Sequence, residues 1–199
     1  MKQIALLFFI LALFSCKKET NFILKGNLPD TTFDGEYIFL APLENAVRER
    51  VDSVLIANGK FTIKSQVDNP EIYVVRTRPL LRLQLQELIV VKEPGSLQAT
   101  IGNNSAITGT PLNDSIQHWK EHKTTFDSNL AELRQLNNST AEIERGTVNR
   151  QIDSVRSVAM DFHYRFIKNN RTNVVGNFVL KMMGASLTEE QREELATEK

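Results

Sequence analysis

"DSVLIANGKFTIKSQV", Asp52 to Val67, alternates apolar and polar side chains on both sides of Asn58-Gly59. Period two is the spacing of a strand with one buried face, and Asn-Gly supplies the two positive-φ residues of a type I′ turn. The stretch predicts a β-hairpin in which Ala57 faces Lys60, Ile56 faces Phe61, Leu55 faces Thr62 and Val54 faces Ile63. Val54, Ile56, Phe61 and Ile63 then share the buried face, while Leu55, Thr62 and Lys64 lie on the other.

The same patterning extends in both directions. Upstream, Phe22, Leu24 and Leu28 alternate with Lys25 and Asn27, and "DGEYIFLAPL" (Asp34 to Leu43) follows an Asp-Gly turn and stops at a proline. Downstream, "EIYVVRTRP" (Glu71 to Pro79) and "LQLQELIVVKEPGSLQATIG" (Leu83 to Gly102) read as three more strands, with a turn at Pro94-Gly95. Short strands at this spacing, without helical pattern between them, predict an antiparallel sandwich or barrel over residues 22–110 and argue against parallel βαβ units.

The period changes at "TGTPLNDS". Thr110 is a candidate cap and Pro111 suits a first helical turn. Leu112, Ile116, Trp119, Phe126, Leu130 and Leu133 then form an apolar seam broken by Lys123. After a turn at "NNST" (Asn137 to Thr140), Val148, Ile152, Val155, Ala159, Phe162 and Phe166 repeat the spacing. Two long helices with a short connection predict an antiparallel helical hairpin over residues 111–168. Residues 169–199 read as a helical bridge: an apolar helix from Val174 to Met183, then a polar one from Leu187 to Thr197 with Thr188 as cap. The fold class expected is α+β.

At the other end, Met1-Lys2-Gln3 is cationic, Ile4 to Phe14 is uninterrupted apolar sequence, and Leu13-Phe14-Ser15-Cys16 closes the run. This is the layout of a secretory signal over residues 1–15. As a helix the run covers roughly 16 Å, short of a hydrocarbon core of about 30 Å. Leu13-Phe14-Ser15-Cys16 resembles the lipobox of bacterial lipoproteins, with Phe14 bulkier than the usual small residue. That resemblance implies cleavage before Cys16, a diacylglyceryl thioether on its sulfur and an acylated (palmitate-type) amino terminus. Residues 16–21 would then be a lipidated tether. The absence of aspartate after the cysteine points to the outer membrane; the periplasmic face is the one expected, with the surface face left open.

Cys16 is the only cysteine, so the chain has no intramolecular disulfide, Cys-x-x-Cys pair or cysteine-rich zinc site. Lysine plus arginine equals aspartate plus glutamate at 24 each, so no net field recruits a polyanion and no nucleic-acid partner is expected. The partners expected are a membrane, through the lipid, and a protein of the cell envelope. No cofactor is expected beyond the lipid on Cys16.

"FILKGNL" (Phe22 to Leu28), "DGEYIFLAPL", the Asp52 to Val67 stretch, "EPGSL" (Glu93 to Leu97) and "ITGTPLND" (Ile107 to Asp114) together resemble the domain of unknown function that precedes thioredoxin-like modules in Gram-negative anchored lipoproteins. Those proteins are similar to TlpA, ResA or AhpC/TSA-type enzymes. The resemblance implies a fold and no catalytic residue, because the Trp-Cys-x-x-Cys such reductases need is absent here. The chain is expected to be a non-catalytic binding, spacer or scaffolding module. One alternative is the front part of a thiol-disulfide reductase lacking its thioredoxin-like domain. Another is a glycan- or peptide-binding sandwich using an exposed Tyr37 or Tyr73.

The sharpest chemical motif is His118-Trp119-Lys120-Glu121-His122, which fits the H-x-x-E-H pattern of inverted zinc peptidases. His118 and His122 would be ligands, Glu121 the base, and Glu142, Glu144 or one of the C-terminal glutamates a third ligand. The seam centred on Trp119 turns both imidazoles toward solvent, so no metal site is expected. His163 reads as an ordinary helix residue. Asp52-Ser53 and Ser115 have no histidine and acid placed to form a triad. Arg76, Arg78 and Arg82 read as a solvated basic loop, and Met182-Met183 with Phe178 and Leu180 as a core contact.

Overall fold

The structure is a computed structural model that describes residues 20–77 and 85–197. The described residues form strands β1 (Asn21–Asn27), β2 (Tyr37–Pro42), β3 (Asp52–Leu55), β4 (Lys60–Gln66), β5 (Glu71–Arg76), β6 (Leu88–Lys92), β7 (Gly95–Thr100) and β8 (Ala106–Thr108). Helices α1 (Pro111–Ser139), α2 (Glu142–Asn169), α3 (Val174–Met183) and α4 (Glu189–Thr197) follow. The chain is thus α+β, strands first and helices after. Residues 1–19, and with them the signal segment and Cys16, lie outside the described residues, as do Arg78 and Arg82.

The strands form two open four-stranded sheets, ordered β4-β1-β7-β8 and β3-β2-β5-β6. One hydrophobic cluster joins them, drawing Phe22, Leu24, Ile63 and Leu97 from the first sheet and Ile38, Leu40, Tyr73 and Val90 from the second. The sheets do not close into a barrel. Pairing is antiparallel except between β1 and β7, which run parallel with Phe22 opposite Gly95 and Asn27 opposite Thr100. The purely antiparallel expectation is corrected there.

The Asn58-Gly59 turn has the expected positive φ values, 53° and 64°, but it does not make a hairpin. Ala57 and Lys60 form an isolated bridge. Beyond it, β3 pairs with β2 in one sheet and β4 with β1 in the other. The reason lies in what the turn bonds to. The Asp34 carboxylate accepts from the Asn58 and Gly59 N–H groups at 2.7 and 2.8 Å, Leu28 N–H donates to Gly59, and Ile56 exchanges bonds with Gly35 and Glu36. The turn's backbone groups are satisfied by a neighbouring loop, so the two arms separate into different layers. Ile56, Phe61 and Ile63 are buried as expected, because the arms enter the core from two sides. Phe61 lies opposite Gly26 and its ring occupies the space a side chain there would need.

The second sheet is covered on both faces. Tyr73, Val75, Leu88 and Val90 point inward, while Ile72, Ile89 and Val91 pack with Ile116, Trp119, Phe166, Val175 and Phe178 in a second cluster beneath the helices. Helix α1 continues through Asn137 and Asn138, so the turn falls at Thr140-Ala141. Ring contacts pair Trp119 with His163 and Phe166, and Phe126 with Phe162, so α1 packs against α2. Asn173 caps α3, its side-chain oxygen accepting from Val175 and Gly176 N–H. Thr188 and Gln191 form a reciprocal capping box that starts α4.

Candidate functional site

Helix α1 lies along the open side between the two sheets, where β6 and β8 are edge strands. An uncovered edge leaves backbone donors and acceptors unpaired. Three polar side chains on one face of α1, spaced four and three residues apart, bond there. The Asn113 amide accepts from Val91 N–H at 2.9 Å and donates to Val91 C=O at 2.7 Å, as a neighbouring strand would. Gln117 accepts from Ile107 N–H at 3.2 Å. Lys120 donates to the Ser105 carbonyl, and burial lowers its pKa. Helix α1 therefore runs antiparallel to β8, from Thr110 toward the sheet end where β8 begins. Its buried residues stop at Trp119.

The start of α1 is held in trans. Thr110 makes no side-chain cap bond, which corrects the expected capping role. Glu93, 7% exposed at the end of β6, accepts instead from Thr110 Oγ1 at 2.5 Å, Leu112 N–H at 2.9 Å, and Asn113 N–H and Nδ2 at 3.2 Å. A carboxylate at a helix N-terminus also complements the helix dipole. The two short stretches beginning at Glu93 and Ile107 thus meet in space and join the sheets to the helices.

The motif residues on α1 are brought together only in part. His118 and His122 are exposed, with rings 4.2 Å apart. His122 stacks on Phe162 at 4.7 Å, and its Nδ1 lies 3.0 Å from the His118 carbonyl. Glu121 is exposed and accepts from Gln117. Among the described residues, no three His, Cys, Asp or Glu side chains form a metal-holding group. Asp52 pairs with Lys92 at 3.2 Å, and Ser115 donates to Asn170 at 3.3 Å. Arg76 pairs with Glu87. Tyr73 is buried beneath Lys92 and offers no exposed stacking face, whereas Tyr37 is 40% exposed. Phe178 is core, but Met182, beside the rim residue Leu43, and Leu180 are exposed, so the core reading fails for both.

His163, expected to be an ordinary helix residue, is instead a buried polar group where α1 meets α2. It is 3% exposed, and its Nδ1 accepts from the Trp119 indole N–H at 3.2 Å. Indole only donates, so the neutral ring carries its proton on Nε2. Burial lowers the His163 pKa, Lys123 adds to this and Asp127 opposes it. The folded state then holds this proton less readily than the unfolded chain, whose histidine titrates near about 6.5. The stability from neutral His163 is full above that pH and is lost as pH falls toward the folded pKa. Melting temperature should therefore drop between pH 7 and 5, and His163→Gln should flatten the drop. An equal drop in the variant would assign it to other groups.

The fold and this junction define an α+β protein whose last strand, β8, leads almost directly into a covering helix. Residues 22–116 match the family described as "Domain of unknown function (DUF4369)". The matched segment spans both sheets and ends at Ile116, so Glu93, Thr110 and Asn113 all fall within it. No curated protein and no solved structure matches the chain. Among the described residues, no helix is long and apolar enough to cross a membrane.

Proposed function

We propose that the chain is a non-catalytic, lipid-anchored cell-envelope protein, held in the outer membrane and facing the periplasm, that acts as a binding, spacer or scaffolding module. The observation that carries this reading is the apolar run from Ile4 closed by Leu13-Phe14-Ser15-Cys16, a few residues before β1. Two or more acyl chains make such an anchor stable, where one is marginal.

The architecture read with it is a β-sandwich carrying an antiparallel helical hairpin. From Cys16 to Thr20 the chain reaches at most about 14 Å when fully extended. Thr20 is already tied to the sheet, accepting from Val67 N–H at 2.8 Å and donating to Gln66 at 2.6 Å. The end of the sandwich that holds the start of β1 therefore faces the bilayer. Because α1 runs toward the opposite end, its part from Glu121 to Ser139, roughly 28 Å long, is carried away from the membrane. This geometry suits presentation of a helical arm to a partner.

The test is Cys16→Ala expressed in a Gram-negative host with a labelled palmitate analogue. The unaltered chain should carry the label and sediment with membranes. The variant should lose the label and either accumulate with residues 1–15 attached or leave the membrane. Unchanged mass and retention in the variant would overturn the reading.

A further inference from the structure

We propose that the loop between β2 and β3, with Met182 of α3 beside it, is a second membrane contact, whose apolar side chains enter the headgroup layer of the bilayer that holds the lipid anchor. The proposal rests on the anchoring reading, which fixes the end of the sandwich that faces the bilayer. Strand β2 ends at Pro42 and its partner β3 begins at Asp52, so residues 43–51 lie beyond the sheet end. Two feet hold the loop there. Leu43 N–H donates to the Ile72 carbonyl at 3.0 Å, and the Arg50 guanidinium donates to the Glu71 carboxylate. Glu71 lies opposite Lys92 in register, and the Lys92 ammonium is 6.0 Å from the ring centre of Phe22, the second residue of β1. Glu71 and Lys92 also line one cleft with Gln66 and Val67, the two residues that bond to Thr20. The loop therefore sits at the end where the chain from Cys16 arrives, and that chain reaches at most about 14 Å.

Exposure and charge suit a bilayer at this place. Leu43, Val47 and Met182 are 40%, 52% and 55% exposed, and Leu43 and Met182 line one open groove. Such side chains gain by leaving water for the boundary between headgroups and acyl chains, and an unbranched methionine adapts to a fluid surface. The charges around them cancel. Glu44 pairs with Lys181, Arg50 with Glu71, and Arg48 is followed by Glu49. A balanced patch is not repelled by anionic lipid, and it is not recruited by it either. Three apolar side chains would hold a free protein weakly, but a lipid tether makes their contact intramolecular and raises the effective concentration of the bilayer.

The test uses the protein purified from membranes of a Gram-negative host and reconstituted in vesicles of phosphatidylethanolamine and phosphatidylglycerol. Val47→Cys, Met182→Cys and Ile143→Cys each carry a nitroxide on the new thiol. Ile143, 94% exposed in the first turn of α2, is the aqueous reference. Cys16 is the only native cysteine, so the parent chain should take up no nitroxide when its sulfur is acylated. The labels at positions 47 and 182 should lose the broadening that a water-soluble nickel chelate produces at position 143. Equal broadening at all three positions, in protein that sediments with the vesicles and whose parent chain takes up no nitroxide, would overturn the proposal and leave the anchor intact. Uptake of nitroxide by the parent chain would instead overturn the anchoring reading, and the proposal with it. Spin–spin broadening between position 47 labels, removed by dilution with unlabelled protein, would assign the patch to a second copy of this chain and overturn the bilayer contact.

Discussion

Trp119→Ala is expected to destabilise the protein by about 3–5 kcal/mol. The ring is 3% exposed, makes an edge contact with Phe178 at 6.0 Å and packs on Phe166 at 6.5 Å. It touches α2 and α3 at once and belongs to the cluster that includes Val91 on the second sheet. Truncation therefore opens a cavity where helices and sheet meet, and leaves His163 Nδ1 without its donor. Trp119→Phe keeps most of the apolar volume but not the hydrogen bond, and should cost about 1–2 kcal/mol. Urea unfolding followed by far-UV circular dichroism separates these values. A loss below about 1 kcal/mol for the alanine variant would mean that α1 is not docked as described.

Asn113→Ala is expected to cost about 2–4 kcal/mol, because it removes both partners of Val91 on an edge strand and one donor to the Glu93 carboxylate. The side chain is fully buried, so water cannot replace what is lost. Asn113→Asp discriminates further. It keeps the acceptor for Val91 N–H but turns the amide donor into an oxygen facing Val91 C=O and Glu93. Despite its near-identical shape, it should destabilise at least as much as alanine. The same unfolding assay checks both variants. If aspartate is tolerated, the amide's donor role in the junction is contradicted.

Element positions were legible where local signals are strong. Val174 to Met183 is a helix with the expected bounds, and Pro111 opens α1 because its missing N–H is not needed there. Pairing was less legible. Asn58-Gly59 forms the turn its residues favour, but Asp34, 24 residues earlier, takes up its N–H groups and sends the arms into different sheets. No local rule anticipates that partner. Parallel pairing of β1 with β7 is likewise set by layer order rather than by either strand's pattern.

At the candidate site, period counting identified the apolar seam and missed the polar residues beside it. Asn113 and Gln117 look solvated in sequence because they are polar, yet they are buried where they complete strand edges. His163 is hidden for the same reason, since its partner Trp119 is 44 residues away. One available signal was the run Leu88-Ile89-Val90-Val91, whose unbroken apolar character marks a strand covered on both faces. It would have placed helices over the second sheet. The glycine opposite Phe61 shows the converse: a strand glycine that weakens the pattern while making room for a core ring.

The most direct test of the central claim is the intact mass and amino-terminal peptide of the native protein extracted from its own membranes. The account predicts a chain beginning at Cys16, with diacylglyceryl on the sulfur and an acyl group on the amino terminus. An unmodified Cys16 thiol, or a chain that still carries Met1 to Ser15, would contradict it.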